Sequence, residues 1–157
     1  MNESKAVSAP ERVLPAPIPT QDSQPFWDAA KEGRFLIKRC ATCGRAHWYP
    51  RPLCPFCLSD NTVWQDSAGT GVIYTFSVMV RAAAPFVLAF ITLDEGPTLL
   101  SNLVNCEPGT LAIGQPVRVL FRPSDGEYPV PVFEPACNPQ TTLPPAIADS
   151  ASRAADD

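Results

Sequence analysis

The chain has 157 residues, 45% of them hydrophobic, and a formal net charge of -4 at pH 7. That length and apolar content suit one ordinary domain with a real core and exclude a fibrous or wholly disordered chain. No apolar run is long enough to cross a bilayer as a helix, and the opening MNESKAVSAPERVLPAPIPT lacks the continuous apolar stretch of a secretory signal, so a cytoplasmic protein is expected.

Residues 1–22 are rich in Pro, Ala and polar side chains without any period, which predicts a flexible arm. Residues 23–66 read as a helix followed by a cysteine-rich ribbon. In SQPFWDAAKEGR, Ser23 is placed to cap a short helix and Pro25 sits early, where a missing N–H costs little. Phe26, Ala29 and Ala30 fall on one side, and Gly33 stops the helix. RFLIKR then reads as a strand leading into the cysteines.

The stretch from Arg39 to Cys57, RCATCGRAHWYPRPLCPFC, holds two Cys-x-x-Cys pairs, Cys40/Cys43 and Cys54/Cys57. In a reducing compartment such pairs are metal ligands more often than disulfides. A Cys-x-x-Cys knuckle aims two sulfurs at one point, and two knuckles close a tetrahedral shell, so these four residues are read as ligands of a structural zinc. The connection between Cys43 and Cys54 is long enough for a hairpin that brings the knuckles together. With all four positions filled by thiolate, no open position remains for water or substrate. His47, the single histidine, is then read as a surface or loop residue. Cys106 and Cys137 are isolated and read as small, partly buried side chains.

Residues 67–135 change to short strands: Thr70–Arg81, Phe86–Asp94, a turn at Asp94-Glu95-Gly96-Pro97, a returning TLLSNLVN, a turn or single helical turn in CEPGTLAIGQ, then Pro116–Arg122 and Tyr128–Pro135. With TVWQ before them, this pattern predicts a mainly β fold, a small barrel or sandwich. Pro129 and Pro131 push the last strand toward an edge. Residues 136–157 read as a disordered tail.

Charge is unevenly spread. From Lys31 to Cys57, six basic residues face Glu32 alone, a net of +5, which leaves -9 on the remainder of a chain whose total is -4. A compact basic patch on an acidic protein points to a local anionic ligand. No catalytic constellation is visible. There is no Gly-x-Ser-x-Gly around a serine, and Gly69 and Gly71 lack the helix and lysine of a phosphate loop. Asp94 and Glu95 read as a solvated turn, and Arg118 and Arg122 as a solvated strand face.

Taken in order, PFWDAAKEGRFLIKRCATCGRAHWYPRPLCPFC, Trp64, SAGTGVIYTFSVMVR, ITLDEGPTLLSNLVNCEP and IGQPVRVLF resemble the acyl-CoA-associated family in which a rubredoxin-like zinc ribbon precedes an OB-fold. The likeness covers roughly residues 23–135. It implies a short N-terminal helix, a four-cysteine zinc ribbon and a five-stranded OB-fold barrel. It also implies a non-catalytic partner of a thiolase-fold enzyme in a hetero-oligomer, in which the partner supplies catalysis and the ribbon subunit helps hold the CoA arm. The acyl groups handled by the family include steroid side chains, aromatic chains and fatty acyl chains. Lys38, Arg39, Arg45 and Arg51 are the candidate CoA contacts, because CoA is strongly anionic. Two competing readings are a nucleic-acid-binding OB-fold and zinc-ribbon module, with Tyr74 and Phe76 as stacking platforms, and an iron-based electron carrier. The acidic barrel half disfavours the first. Rubredoxin knuckles come from opposite ends of a longer chain, which disfavours the second.

Overall fold

The computed structural model describes residues 12–136. The tail expected at 136–157 and Cys137 therefore lie outside the described residues, Ala136 excepted. Helix α1 spans Gln24–Lys31, with Pro25 in its first turn and Gly33 in the left-handed conformation just past its end. Its buried side is Phe26, Ala29 and Ala30, as the spacing predicts. Ser23 stands at the N-cap but makes no side-chain cap bond. Its hydroxyl instead engages the backbone and side chain of Thr20, at 2.9 and 3.0 Å, and holds the incoming chain.

Strands β1 (Leu36–Cys40), β2 (Ala46–His47) and β3 (Thr62–Asp66) form a three-stranded antiparallel sheet with β1 in the centre. Strands β4 (Thr70–Met79), β5 (Phe86–Leu93), β6 (Thr98–Leu103), β7 (Pro116–Arg122) and β8 (Val130–Pro135) close a barrel in the order β4-β5-β6-β8-β7. The chain is thus mainly β, with one short helix, a four-cysteine ribbon and a five-stranded closed barrel.

Alternation fills the barrel. Val87, Ala89, Ile91 and Leu93 of β5 point inward, opposite Leu99 and Leu103 of β6, and all are buried. Ile73, Val117 and Phe133 complete the interior. An aromatic chain joins the two units: Phe26 meets Trp48 and Phe35 edge-on at 4.8 and 5.6 Å, and Phe35 meets Phe133 of the barrel at 6.1 Å. A hydrogen bond from the Ser67 N–H to the Phe35 carbonyl, 2.8 Å, pins the same junction.

Two expectations change. Residues 12–22, expected as a flexible arm, lie along the barrel: Leu14 is buried and bridges to Ser124, and the Asp125 N–H donates to the Leu14 carbonyl at 3.0 Å. One leucine in a proline-rich stretch has no periodicity by which to announce its burial. The first eleven residues of that arm lie outside the described residues. The last strand, expected near an edge, closes the barrel. It pairs fully with β7 but meets β6 through one parallel pair, Leu103 with Phe133. Pro131 donates nothing, and its carbonyl accepts from the Ser101 hydroxyl of β6 at 2.9 Å. A seam this short needs few backbone N–H groups, so it tolerates the proline.

Candidate metal centre

The two knuckles are built on one pattern. Gly44 donates its N–H to the Cys40 carbonyl and Leu58 donates to the Cys54 carbonyl, each at 2.9 Å. The Cys40 N–H reaches the Arg45 carbonyl and the Cys54 N–H reaches the Ser59 carbonyl, again each at 2.9 Å. Both turns need a left-handed residue after the second cysteine, and Gly44 has φ 73° while Leu58 has φ 61°. A leucine in that conformation costs about 1–2 kcal/mol. Replacing it with glycine returns that strain but adds about 0.5–1 kcal/mol of chain entropy. Leu58→Gly is therefore expected to stabilise the metal-loaded protein slightly, by about 0.5–1 kcal/mol, read as a rise of a few degrees in Tm. An unchanged or lower Tm would show that the exposed Leu58 side chain contributes packing of its own.

The four sulfurs converge. Cys40 and Cys57 lie 3.6 Å apart and Cys43 and Cys54 lie 3.7 Å apart, with all four within 4.8 Å of one another. A tetrahedron of thiolates around an ion at about 2.3 Å has edges of roughly 3.8 Å, so the donor set fits one tetrahedral ion. Cys40 and Cys54 are buried, whereas Cys43 and Cys57 form the outer side. The Cys43 N–H points at the Cys40 sulfur and, with burial opposing, lowers that thiol to about 6. Burial works against the Cys54 thiolate, but the N–H groups of Phe56 and Cys57 outweigh it and the pKa is lowered. The Ser59 N–H favours the Cys57 thiolate, yet burial and the three neighbouring sulfurs prevail and push it up to about 12. A cation removes that last opposition: four thiolates packed this closely are stable together only around a positive charge.

His47 is not the surface or loop residue expected. It lies in β2, only 2% exposed, with Nδ1 at 3.3 Å from the Tyr49 carbonyl and Nε2 buried without a partner. A two-residue strand is too short to leave a pattern in sequence, and its inward register carries His47 under the ribbon. Glu95 is not simply a solvated turn residue either. Its Oε1 accepts from the Ala68 N–H at 3.0 Å, and its Oε2 is buried and unpartnered.

The candidate anion contacts divide. Arg39 and Arg45 line a cleft of about 370 Å³ between the ribbon and the β5–β6 turn, together with His47, Phe56 and Glu95. Arg39 is steadied by Gln65 at 2.5 Å and by the Gly44 carbonyl at 2.6 Å, and the Arg45 guanidinium lies 3.4 Å above the Phe56 ring. Lys38, one residue along β1, reaches the Thr62 hydroxyl at 3.2 Å and lies over Trp64. Arg51 lines a separate hollow with Tyr49, Leu53 and Leu58. In the barrel, Arg118 is taken by Glu134 at 2.7 Å, and Arg122 donates to Asn105 at 2.8 Å, so neither is a bare solvated charge.

Among the described residues, no helix is long and apolar enough to cross a membrane. Two family models match consecutive parts of the chain: the rubredoxin-like zinc ribbon domain of ChsH2 over residues 27–63, and the C-terminal OB-fold domain of ChsH2 over residues 64–122. The chain is similar to a probable enoyl-CoA hydratase alpha subunit of Thermomonospora curvata, 36% identical over 132 residues, which are 81% of this chain and 41% of that protein. It is also similar to a DUF35 domain-containing scaffold protein of Methanocaldococcus jannaschii, 35% identical over 61% of this chain and 74% of that one. A solved structure described as the Ltp2-ChsH2(DUF35) aldolase contains a chain 35% identical to this one, with a TM-score of 0.68, covering 76% of this chain and 98% of its own. The chain thus spans about two fifths of the hydratase subunit but nearly the whole of the aldolase-associated chain.

Proposed function

From the premise that this chain belongs to the ChsH2 (DUF35) family of zinc-ribbon and OB-fold proteins, we propose that it is a non-catalytic subunit of an acyl-CoA thiolase or thiolase-like aldolase. The observation that carries this reading is the similarity to nearly the full length of a chain solved in an aldolase assembly. The site supports it physically. The ion held by Cys40, Cys43, Cys54 and Cys57 is zinc, bound to thiolate alone. It supplies folding free energy to the ribbon and has no open position for chemistry. The single histidine is walled in beneath the ribbon rather than placed beside a nucleophile. Catalysis then belongs to a thiolase-fold enzyme in the hetero-oligomer.

The substrate is an acyl-CoA shared with that enzyme. Arg39 and Arg45 provide the part of the basic patch that one ligand can reach together, with Phe56 as an apolar wall. Among the described residues neither arginine forms an ion pair, so both charges are available to the phosphates of CoA. Lys38 and Arg51 sit elsewhere and act at most as a general positive field.

The test is co-expression with candidate thiolase-fold proteins of the same genome, followed by thiolysis and retro-aldol assays of each subunit and of any complex that forms. Turnover is expected only from the complex. Arg39→Glu combined with Arg45→Glu is expected to raise the Kd of CoA for the complex at least about tenfold, with zinc content unchanged. Turnover by the isolated chain would overturn the non-catalytic reading. Unaltered CoA affinity in the double variant would remove the two arginines from the site.

A further inference from the structure

Three adjacent strands of the barrel contain no charged residue: nothing in β4, β5 or β6 is Lys, Arg, Asp or Glu. The neighbouring strands differ, since β7 and β8 carry Arg118, Arg122 and Glu134. Alternation sends half of this uncharged sequence inward. The other half covers the outside with large apolar groups: Tyr74 is 65% exposed, Leu100 55%, Phe90 44% and Val72 38%. The register makes them contiguous. Phe90 stands directly opposite Leu100 on one side and Thr75 on the other. A bulge between Ile73 and Thr75 places Tyr74 and Thr75 on the outside in succession and turns the tyrosine out over the sheet.

We propose that this outer face of β4–β5–β6 is where the chain docks on the enzyme subunit of the assembly proposed above, a reading it rests on, and that the surface it meets is apolar and uncharged. Several observations single out that occupant. A closed barrel leaves no strand edge, so the partner binds through side chains and not by adding a strand. A single strand of nucleic acid needs cations beside its stacking aromatics, and β4, β5 and β6 supply none around Tyr74, while Arg118 of β7 is paired with Glu134. A second copy meeting the same face gains too little from it. Three strands about 4.8 Å apart and roughly 20 to 33 Å long cover on the order of 400 Å² per chain, about half the ~800 Å² per partner of a stable interface. A larger, different subunit can extend its contact beyond the sheet. The chain's own first eleven residues, MNESKAVSAPE, hold too little apolar surface to cover it. Arg12 stops at the lower border of the face, where its guanidinium lies 3.6 Å over Phe86 and donates to Asn102 at 2.8 Å. Burial without charge is how an obligate subunit interface differs from a transient one.

The test uses the full chain and the complex with the co-expressed thiolase-fold protein. Leu100→Glu and Phe90→Lys are at exposed positions, so zinc content and Tm are expected to stay at the wild-type values while the Kd for the enzyme subunit rises at least about 30-fold. The wild-type complex is expected to hold at 1 M NaCl, where screening would release a contact made by the basic ribbon. Wild-type affinity in both variants, with the wild-type complex intact, would overturn this inference and leave the proposed function standing. Dissociation of the complex by salt alone, self-association of the isolated chain abolished by Leu100→Glu, or tighter binding after removal of residues 1–11 would each overturn it too. No complex with the wild-type chain would overturn the proposed function and this surface together.

Discussion

Cys40→Ser is expected to reduce bound zinc from about one ion per chain to near zero and to unfold the ribbon. The residue is fully buried at the end of the central strand β1, and its sulfur lies 3.6 Å from that of Cys57. A hydroxyl is a poor substitute for thiolate, and the loss of one ligand breaks a closed shell. Free energies of zinc binding to such sites reach about 10 kcal/mol or more, far above what three short strands can replace by packing. Native mass spectrometry reads the metal, and near-ultraviolet dichroism of Trp48 and Trp64 reads the ribbon. Cys106→Ser, outside the cluster, is the control and should keep the ion. The same centre sets a dependence on acid. The folded chain lowers the Cys40 thiol to about 6 from an ordinary value of 9.0, so its contribution is full only above that ordinary value, declines as pH falls between the two, and is gone below about 6. Metal release on acidification should follow that direction. Full occupancy in Cys40→Ser would disprove the four-thiolate centre.

Gly71→Ala is expected to destabilise the barrel by more than about 3 kcal/mol and to lower Tm by about 10 °C. Gly71 lies where β4 is flanked by both β5 and β7, opposite Leu93 and Val117. A Cβ placed there would stand 2.3 Å from the Thr92 carbonyl oxygen and 2.9 Å from the Leu93 Cα. Both are backbone atoms, so neither can turn aside as a side chain would, and relief requires β4 and β5 to separate. Gly109→Ala, with nothing within 4 Å of its added Cβ, should change stability by less than about 0.5 kcal/mol. Thermal unfolding of the two variants side by side tests the claim, and a near-neutral Gly71→Ala would show that the strand pair yields more readily than its geometry implies.

Both effects arise at features with different visibility in sequence. The knuckles are legible because metal chemistry demands thiolates at a fixed interval. Strands β4, β5 and β7 are legible because β-branched and aromatic runs are bounded by turn residues, and β7 begins and ends where its pattern does. Helix α1 is legible from Pro25, the Phe26/Ala29/Ala30 side and Gly33. What hides is whatever depends on contacts between distant segments. His47 carries no periodicity that announces its place under the ribbon, and Leu14 owes its burial to Ser124 and Asp125, more than a hundred residues away. Ser23 has the chemistry of a cap, yet its hydroxyl is claimed by Thr20. The basic patch reads as one ligand site along the chain, but β-strand alternation and the separation of two hollows divide it in space. Prolines in β8 argued for an edge because ladder hydrogen bonds were assumed on both flanks, and closure here asks for almost none on one of them.

The single parallel pair between β6 and β8 makes that line the natural place for the barrel to breathe. Amide protons along it should exchange with solvent sooner than those between β5 and β6, which hold six consecutive register pairs. Parting there unrolls β7 and β8 as a flap, while β4, β5 and β6 remain one continuous curved plate. The half of the cylinder that tolerates motion and the half that presents Tyr74, Phe90 and Leu100 are thus kept mechanically apart.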